Sequence, residues 1–504
     1  MGLLKSISES SALPNQPWNS QLVIIVYAVS QVIYNLYFHP LSGFPGSKLA
    51  AISHIFYARA VVGAGGSEEH VVKALHEKHD VLSDVVRWSP NELSFSSAAA
   101  WQDIYGTQRS GDIFVKDHNL KAPNIVFEKD PAKHLQAKKM LSHAFSPKAL
   151  REQEDVILKY ADMLMVAILE QSRKGPINLI DFYEWFTFDV LGELCFSEPF
   201  GSVEARKSDE WVATVLKMVK FVACDSAIYH LSPLVEAAIP YFMPAEFSKG
   251  MLSHVTQSKA KIIKRRDRGE KDRKDFCSYL FEIQKEMKQS DWELTANSQA
   301  LIIAGSETVA TTLSAMTHWL CKIPRAYLKL KEEVRSRFNS ASEITSQSAT
   351  FPYLTAVIHE TLRIVPPVSH ATPRTTPKGG KTVGGVFVPR GTSVSVAPFA
   401  TTHNPKNFKD PDIFRPERWM DPKCTDKLNA SNPFSLGPRA CMGQNMAWIE
   451  LRILAAKMIF LFDFEAIDKE IDWGRDVKSL GLWLKPALMT VVTPRNIPSQ
   501  QMSI

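Results

Sequence analysis

The sequence predicts a mainly α-helical fold with a small β-sheet subdomain, an α+β arrangement preceded by one apolar N-terminal helix. Apolar residues recur every three to four positions in long segments, notably 152–171, 291–321 and 353–364. Strand patterns are few, short and bounded by Gly, Pro or Ser. Residues 22–38 form an apolar run close to the minimum length that spans a bilayer as a helix.

Four segments match the strand pattern, at residues 85–88, 381–388, 393–397 and 488–492. Helical patterns occupy most of the remainder from about residue 68 onward. We therefore expect helices to dominate a small sheet.

The chain divides into a tail at 1–20, a transmembrane anchor at 21–38, a proline-rich neck at 39–47 and a catalytic domain at 48–504. The apolar run is followed by Pro40 and Pro45 rather than by a small-residue cleavage site, which favours an uncleaved anchor over a signal peptide. A buried or interfacial amphipathic helix is the alternative. No internal repeat or low-complexity linker divides residues 48–504, so one catalytic domain is expected.

The composition is that of a folded protein, with 45% hydrophobic and 22% charged residues and a net charge of +6. This mildly basic charge suits an anionic membrane surface or an acidic protein partner and does not imply nucleic acid binding. The charged run at 259–275 mixes both signs, which favours a solvated helix end and loop over a basic docking patch.

The six cysteines are far apart and form no Cys-x-x-Cys pair, which predicts neither a disulfide framework nor a zinc site. This usage is typical of a reducing compartment. A metal bound by cysteine in this chain is expected to depend on a single thiolate, and Cys441 is the candidate.

The segment 434–443 brackets Cys441 with residues that suit a flat cofactor. Gly437 and Gly443 permit tight turns and close approach, and a helix predicted to begin near residue 444 favours the thiolate at its N-terminus. Arg439 is suited to a cofactor carboxylate, and Phe434 is suited to shielding the sulfur.

This segment resembles the Phe-x-x-Gly-x-Arg-x-Cys-x-Gly loop of the cytochrome P450 family. The resemblance implies that Cys441 is the axial thiolate ligand of the iron of haem b. It extends from the neck to the C-terminal region, because residues 360–363 resemble the family's Glu-x-x-Arg motif and 414–419 its partner motif. By this resemblance Glu360, Arg363 and Arg418 support the fold and the haem seat.

Residues 304–308, Ala-Gly-Ser-Glu-Thr, resemble the family's oxygen-activating motif in a long apolar helix. The resemblance implies that Ala304 and Gly305 leave room above the haem, that Thr308 orders water and that Glu307 supplies protons. Taken alone, a threonine within a helix more often donates its hydroxyl to a backbone carbonyl.

The resemblance also assigns the haem carboxylates to His134, Lys138, Arg374 and Arg439. Lys138 departs from the arginine usual at its position, and lysine lacks the bidentate fork of arginine. A second departure, at residues 79–84, affects a predicted hairpin and leaves the haem site unchanged.

The implied activity is that of a monooxygenase that inserts one oxygen atom from O2 into a C–H bond of a lipophilic small molecule, by hydroxylation or epoxidation. Residues 34–46 and 89–95 resemble fungal members that modify secondary metabolites, which suggests a terpenoid or polyketide. The family layout gives pocket candidates that suit plain core packing equally well: Phe127, Leu301, Ala304, Val368 and Leu482.

No dinucleotide-binding fingerprint occurs in a strand-turn-helix context, so the resemblance implies electrons from NADPH through a separate flavoprotein reductase. It further implies the endoplasmic reticulum membrane, with a single-pass anchor and the catalytic domain facing the cytosol. The alternatives are a haem-thiolate isomerase, dehydratase or peroxide-using enzyme, and a non-catalytic membrane haem carrier or sensor. Oxygen consumption with reductase and NADPH separates the three.

Overall fold

The computed structural model describes residues 17–496 apart from nine short segments and two single positions. The gaps are 64–65, 80–83, 108–112, 117–123, 215–216, 218–223, 225–226, 228–244, 270–274, 371 and 481. Most of the expected tail, most of the departure at 79–84 and part of the segment before Phe127 lie outside the described residues.

Helices make up most of the described chain, as the sequence predicted. The α-helices are α1 (Pro17–Ile33), α2 (Lys48–Ile52), α3 (Ile55–Val62), α4 (Glu68–His79), α5 (Ala98–Tyr105), α6 (Pro131–Ser142), α7 (Pro147–Ser172), α8 (Leu179–Phe196), α9 (Ser202–Ala205), α10 (Ala245–Asp267), α11 (Phe276–Met287), α12 (Asp291–Lys322), α13 (Pro324–Arg335), α14 (Pro352–Ile364), α15 (Pro398–Thr402), α16 (Gln444–Leu461) and α17 (Trp473–Asp476). A π-helical turn, Tyr34–Phe38, continues α1, and short 3₁₀ helices lie at His143–Phe145, Ala341–Glu343, Pro416–Trp419, Leu428–Ala430 and Gly437–Arg439.

The strands are short and form four small sheets. They are β1 (Val85–Ser89), β2 (Glu92–Phe95), β3 (Val115–Lys116), β4 (Ile177–Asn178), β5 (Arg374–Thr375), β6 (Lys381–Val383), β7 (Val386–Val388), β8 (Ser393–Val396), β9 (Phe462–Ala466), β10 (Lys478–Leu480), β11 (Leu482–Leu484) and β12 (Met489–Pro494). The largest sheet has the order β1-β2-β8-β5-β3, and the others pair β4-β12-β9, β6-β7 and β10-β11. In the largest sheet β2 runs parallel to β8, with Glu92 opposite Ser393, and Lys116 of β3 lies opposite Arg374 of β5.

The main hydrophobic core lies between the long helices, where α12 packs against α8 and α16 packs against α7, α12 and α13. Helix α12 begins with a capping box in which Ser290 and Glu293 exchange hydrogen bonds. Its C-terminal half, from Val309 to Leu320, is entirely buried, so it is the central helix of the domain. A separate cluster around Val85, Leu93 and Val394 covers the largest sheet.

The predicted fold class, mainly helical with small sheets, is confirmed. One predicted strand is wrong, because residues 381–388 form the hairpin β6-β7 rather than one strand. Gly384 and Gly385 both have positive φ, at 55° and 81°, which suits the two-residue turn of a hairpin. Strands β3, β4 and β5, each of two residues, are too short for a periodic pattern to reveal.

The N-terminal helix is exposed along its apolar surface, with Val23, Ile24 and Tyr27 each about two-thirds exposed. By length and composition, Gln21–Phe38 and α12 are both able to span a membrane, and α12 is largely buried within the domain. The N-terminal helix is therefore the candidate anchor.

Arg87 of β1 connects this helix and the neck to the domain. Its Nη1 donates to the carbonyl of Asn35 at 2.8 Å, and its backbone N–H donates to the carbonyl of Pro45 at 2.7 Å. Its Nε and Nη2 donate to the carbonyl of Pro90. One buried guanidinium thus contacts both the end of the anchor and the sheet.

The sequence suggested that the charged run at 259–275 is solvated throughout, but part of it is buried. Arg265 is buried at the end of α10 and forms an ion pair with buried Asp275, whose carboxylate also accepts from Ser197 at 2.6 Å. The sequence pattern could not distinguish this buried pair from the other charged residues of the run, such as Lys259 and Lys264, which are exposed.

Candidate active site

The Cys441 loop leads directly into α16. The backbone N–H of Cys441 donates to the carbonyl of Phe434 at 2.8 Å, which closes the loop. Helix α16 begins at Gln444, as predicted, so Cys441 lies three residues before a helix N-terminus. Cys441 has accessible surface although protein atoms surround it closely, and all six cysteines are free thiols.

The two glycines of the loop differ in what they accommodate. Gly437 has φ of +65°, and a Cβ there would lie 2.2 Å from the carbonyl oxygen of Tyr105. A side chain at Gly443 would make only ordinary contacts, at 3.8 Å from Phe145 and 4.0 Å from the Cys441 sulfur. Only Gly437 is therefore required by backbone geometry within the protein itself.

Glu360, Arg363 and Arg418 form a fully buried ionic network. Arg363 donates to both oxygens of Glu360 at 2.9 Å, and Arg418 Nε donates to the same carboxylate at 3.0 Å. Further donors are the indole of Trp419 at 2.9 Å and the backbone of Arg415 at 2.8 Å. The Glu360 carboxylate thus accepts five hydrogen bonds and links α14 to the segment 415–419.

A row of rings joins this network to the Cys441 loop. His359 stacks on Trp419 at 4.8 Å and lies 4.9 Å from Trp448 of α16, which in turn lies 6.4 Å from Phe434. Phe434 is half-buried against the main core. The segment before Cys441 therefore rests on the network through rings.

A cluster of basic residues adjoins the loop, and we call it the basic cluster: His134, Lys138, Arg374 and Arg439, which the sequence had singled out, together with Lys116. Arg374 lies over the ring of Tyr105 at 5.0 Å and donates to the carbonyls of Thr372 and Pro373. Its neighbour across β3-β5 is Lys116, which contacts the carbonyl of Val126.

The basic cluster is electrostatically unfavourable in the protein alone. Burial, together with the charges of Arg374 and Arg439, lowers the pKa of Lys116 to about 7. The pKa of His134 falls to about 4 through burial and the charges of Arg439 and Lys138, and that of Arg439 falls to about 10 through burial and Arg374. The nearby Glu128 opposes the lowering of the pKa of Arg439.

Lys138 contacts the Cys441 loop, and its expected contact with a haem carboxylate stays a prediction. Its Nζ donates to the carbonyl of Pro438 at 2.7 Å and to that of Ala440 at 3.0 Å. It therefore contacts the backbone of the Cys441 loop directly. Burial lowers its pKa, and the Cys441 sulfur opposes this effect.

These residues fit a haem with one thiolate ligand. Burial raises the pKa of Cys441, while Lys138 and the N–H groups of Gly443 and Gln444 lower it, so a metal cation is needed to hold the sulfur as thiolate. Two haem carboxylates would compensate the mutual repulsion of the basic cluster. Within the described ranges, no group of three His, Cys, Asp or Glu forms another metal site.

Thr308 and Ala304 lie on the accessible face of α12. The Thr308 hydroxyl donates to the carbonyl of Ala304 at 2.7 Å, which is the backbone bond expected of a threonine within a helix. Its oxygen retains a lone pair that can accept from water. A Cβ at Gly305 would lie 2.7 Å from the Leu191 side chain of α8, so this glycine lets α8 and α12 pack closely. Its expected role of leaving room above the haem stays a prediction.

Glu307 is buried against α8 and the chain after β11. It contacts the Nζ of Lys485, and Lys485 also lies 3.0 Å from Glu184 of α8. Thr311 donates to Glu307 at 3.4 Å, and Oε2 of Glu307 has no hydrogen-bond partner within the described part of the chain. Burial raises the pKa of Glu307, an effect that Lys485 opposes.

The segments that contain the predicted pocket residues contact one another in two pairs. The backbone of Ile125 donates to Asn297 of α12 at 2.8 Å, one helical turn before Leu301, which places the Phe127 segment beside this helix. The indole of Trp483, next to Leu482, donates to the carbonyl of Pro366, two residues before Val368. Phe127, Leu301, Val368 and Leu482 are half-buried, and Ala304 is exposed.

Pattern analysis missed three charged residues of this region: Lys116, Glu184 and Lys485. Lys116 occupies a two-residue strand, and Lys485 lies 178 positions from the carboxylate that it contacts. No local signal distinguishes them from surface charges. Their chemistry depends on burial, which only the fold determines.

Comparison with known proteins gives consistent matches. The family model described as cytochrome P450 matches residues 95–491. The cytochrome P450 monooxygenase astJ of Aspergillus oryzae is 35% identical, with 97% of this chain and 99% of the relative covered. BOA3 of Botryotinia fuckeliana is 38% identical over 92% of this chain and 93% of the relative, and traB of Penicillium crustosum is 37% identical over 93% and 94%. Both are also described as cytochrome P450 monooxygenases.

Proposed function

The chain belongs to the cytochrome P450 family, and from this premise we propose that it is a haem-thiolate monooxygenase. It inserts one oxygen atom from O2 into a C–H bond of a lipophilic small molecule. When bound, the haem supplies the redox chemistry, and its thiolate ligand favours cleavage of the O–O bond.

The observation that carries this proposal is the placement of one exposed thiol beside the basic cluster. Cys441 would ligate the iron, Gly437 and Gly443 would allow the cofactor to approach the loop, and Phe434 would shield the sulfur. Arg374, Arg439, His134 and Lys116 would hold the haem carboxylates, while Lys138 fixes the loop backbone. Glu360, Arg363 and Arg418 hold the segment on which this seat rests.

Thr308 and Glu307 are the candidate residues for water and proton control. The Thr308 oxygen orders water on the face of α12 that Ala304 leaves accessible. Glu307, which is buried and next in sequence, stores the proton that this water passes on.

The substrate class follows from the family resemblance and the apolar pocket candidates. A terpenoid or polyketide of fungal secondary metabolism suits half-buried Phe127, Leu301, Val368 and Leu482 together with exposed Ala304. These residues exclude water around the reacting carbon and orient it.

Electrons come from NADPH through a separate flavoprotein reductase, which docks on basic residues near the cysteine side of the domain. The exposed apolar helix at Gln21–Phe38 anchors the protein in the endoplasmic reticulum membrane with the domain facing the cytosol.

The test is the carbon monoxide difference spectrum of the reduced, purified protein beside Cys441→Ala. We expect a strongly red-shifted Soret band in the wild type, because thiolate ligation produces it, and its loss in the variant. Cys424→Ala, which removes a half-buried cysteine, is the control and should keep the band.

A wild-type protein that binds no haem, or a band unchanged in Cys441→Ala, would overturn the proposal. Oxygen consumption with reductase and NADPH then separates a monooxygenase from a haem-thiolate isomerase and from a haem carrier, since only the monooxygenase couples it to an oxygenated product.

A further inference from the structure

We propose that Lys485 and Glu184 form a proton-supply arm that connects solvent to Glu307. The inference rests on the proposed function, because a monooxygenase consumes two protons for each O2 that it cleaves and therefore needs a route for them.

The geometry of Lys485 is that of a connecting group. Its side chain is 5% exposed, and its Nζ contacts Glu307 on one side and lies 3.0 Å from Glu184 on the other. The same Nζ lies 3.4 Å from the hydroxyl of Thr311. Three elements thus meet at one ammonium group: α8, α12 and the chain between β11 and β12.

The charges within this group do not balance. Two carboxylates face one ammonium, and burial penalises every charge that remains uncompensated. Burial raises the pKa of Glu307, and the two carboxylates together raise that of Lys485. Because Oε2 of Glu307 has no partner within the described ranges, this oxygen is open to a proton.

Accessibility increases from Glu307 outward. The exposed fraction of the side chain is 4% at Glu307, 5% at Lys485 and 15% at Glu184. Asp181, one turn earlier on α8, is half-buried and interacts with both Glu184 and Lys485. The route therefore leads from a partly accessible carboxylate to a buried one.

Each transfer balances. When Glu307 releases its proton toward the water at Thr308, the Lys485 ammonium donates one proton to the Glu307 carboxylate and becomes a neutral amine. The Glu184 carboxylate then takes up a proton from solvent water and passes it to the amine, which becomes an ammonium again. One proton enters for each one that leaves, and no redox change occurs within the arm.

The first experiment measures the protonation of Glu307 directly. The C=O stretching band of buried carboxylic acid is followed against pH by infrared spectroscopy in the full-length haem protein. In Lys485→Met the midpoint of this band should rise by about one pH unit or more, because an opposite charge at this distance has been removed. The band should disappear in the double variant Lys485→Met/Glu307→Gln, which assigns it.

A matched control is Lys457→Met. Lys457 is a second buried lysine, in contact with a single carboxylate, Asp162, on α7. Its replacement should leave the infrared midpoint unchanged even if the protein is less stable. Lys485→Arg should restore the wild-type midpoint, because it preserves the positive charge.

The second readout uses NADPH, reductase and O2 without added substrate, and partitions the electrons between hydrogen peroxide and water. Lys485→Met and Glu184→Gln should shift the partition toward peroxide several-fold and raise the solvent deuterium isotope effect on NADPH consumption. Lys457→Met should alter neither.

An infrared midpoint that Lys485→Met leaves in place, or a peroxide fraction equal to that of Lys457→Met, overturns the proton-supply arm. A carbon monoxide spectrum that does not depend on Cys441 overturns the monooxygenase itself. The two failures are distinguishable, since the infrared band reports the arm without turnover.

Discussion

The two ionic regions beside the Cys441 loop are built in opposite ways. In the Glu360 network, the cations Arg363 and Arg418 are matched by Glu360 and Asp426. In the basic cluster, Arg374 and Arg439 lower the pKa of Lys116, and Arg374 lowers that of Arg439. A balanced buried network supports the fold, whereas an unbalanced one is suited to an anionic ligand.

The largest effect expected from this comparison is that of Glu360→Gln. It removes the charge that compensates two buried arginines and should lower the free energy of unfolding by roughly 3–5 kcal/mol. Urea unfolding of the purified protein measures it. Glu465→Gln is the control, because Glu465 forms an exposed i,i+4 pair with Lys469 and its loss should have little effect. Equal effects of the two variants would show that the buried network does not support the fold.

A second buried glutamate, Glu450 of α16, contrasts with the fully bonded Glu360. Its Oε1 has no hydrogen-bond partner within the described residues. Burial raises its pKa from 4.5 to about 8. Between these values the folded protein retains a proton that the unfolded chain releases, so the free energy of unfolding falls as pH rises through this interval. The total fall is on the order of 4 kcal/mol.

Unfolding of the wild type and of Glu450→Gln at pH 5 and pH 8 measures the contribution of Glu450 to the pH dependence of the free energy of unfolding. The variant should lose less stability than the wild type between the two values. The same loss in both proteins would contradict a protonated Glu450.

The smallest effect is expected in the basic cluster. Arg374→Gln removes one cation that we propose holds a haem carboxylate, and haem affinity should fall about 10–100-fold, as for the loss of one charge-assisted hydrogen bond. Transfer of haem to an excess of a scavenging haem-binding protein measures it. Arg337→Gln, at an exposed arginine, should retain haem like the wild type. Unchanged retention in Arg374→Gln would remove this residue from the haem seat.

The sequence predicted those features that depend on nearby residues. The loop before α16, the helix containing Thr308 and the pair of Glu360 with Arg363 were all expected from spacings of a few residues. Lys116, Glu184 and Lys485 were not, because their partners come from distant segments. The close packing of Leu191 against Gly305 was not expected for the same reason, since Leu191 lies more than a hundred residues earlier in the chain.

Arg87 has a consequence for how the whole protein moves. Its guanidinium contacts the carbonyls of Asn35 and Pro90, and its backbone contacts that of Pro45. The end of the N-terminal helix and the end of the neck are therefore both bonded to strand β1. Swivelling of the domain about the neck would break these bonds. We therefore expect the domain to tilt together with the N-terminal helix.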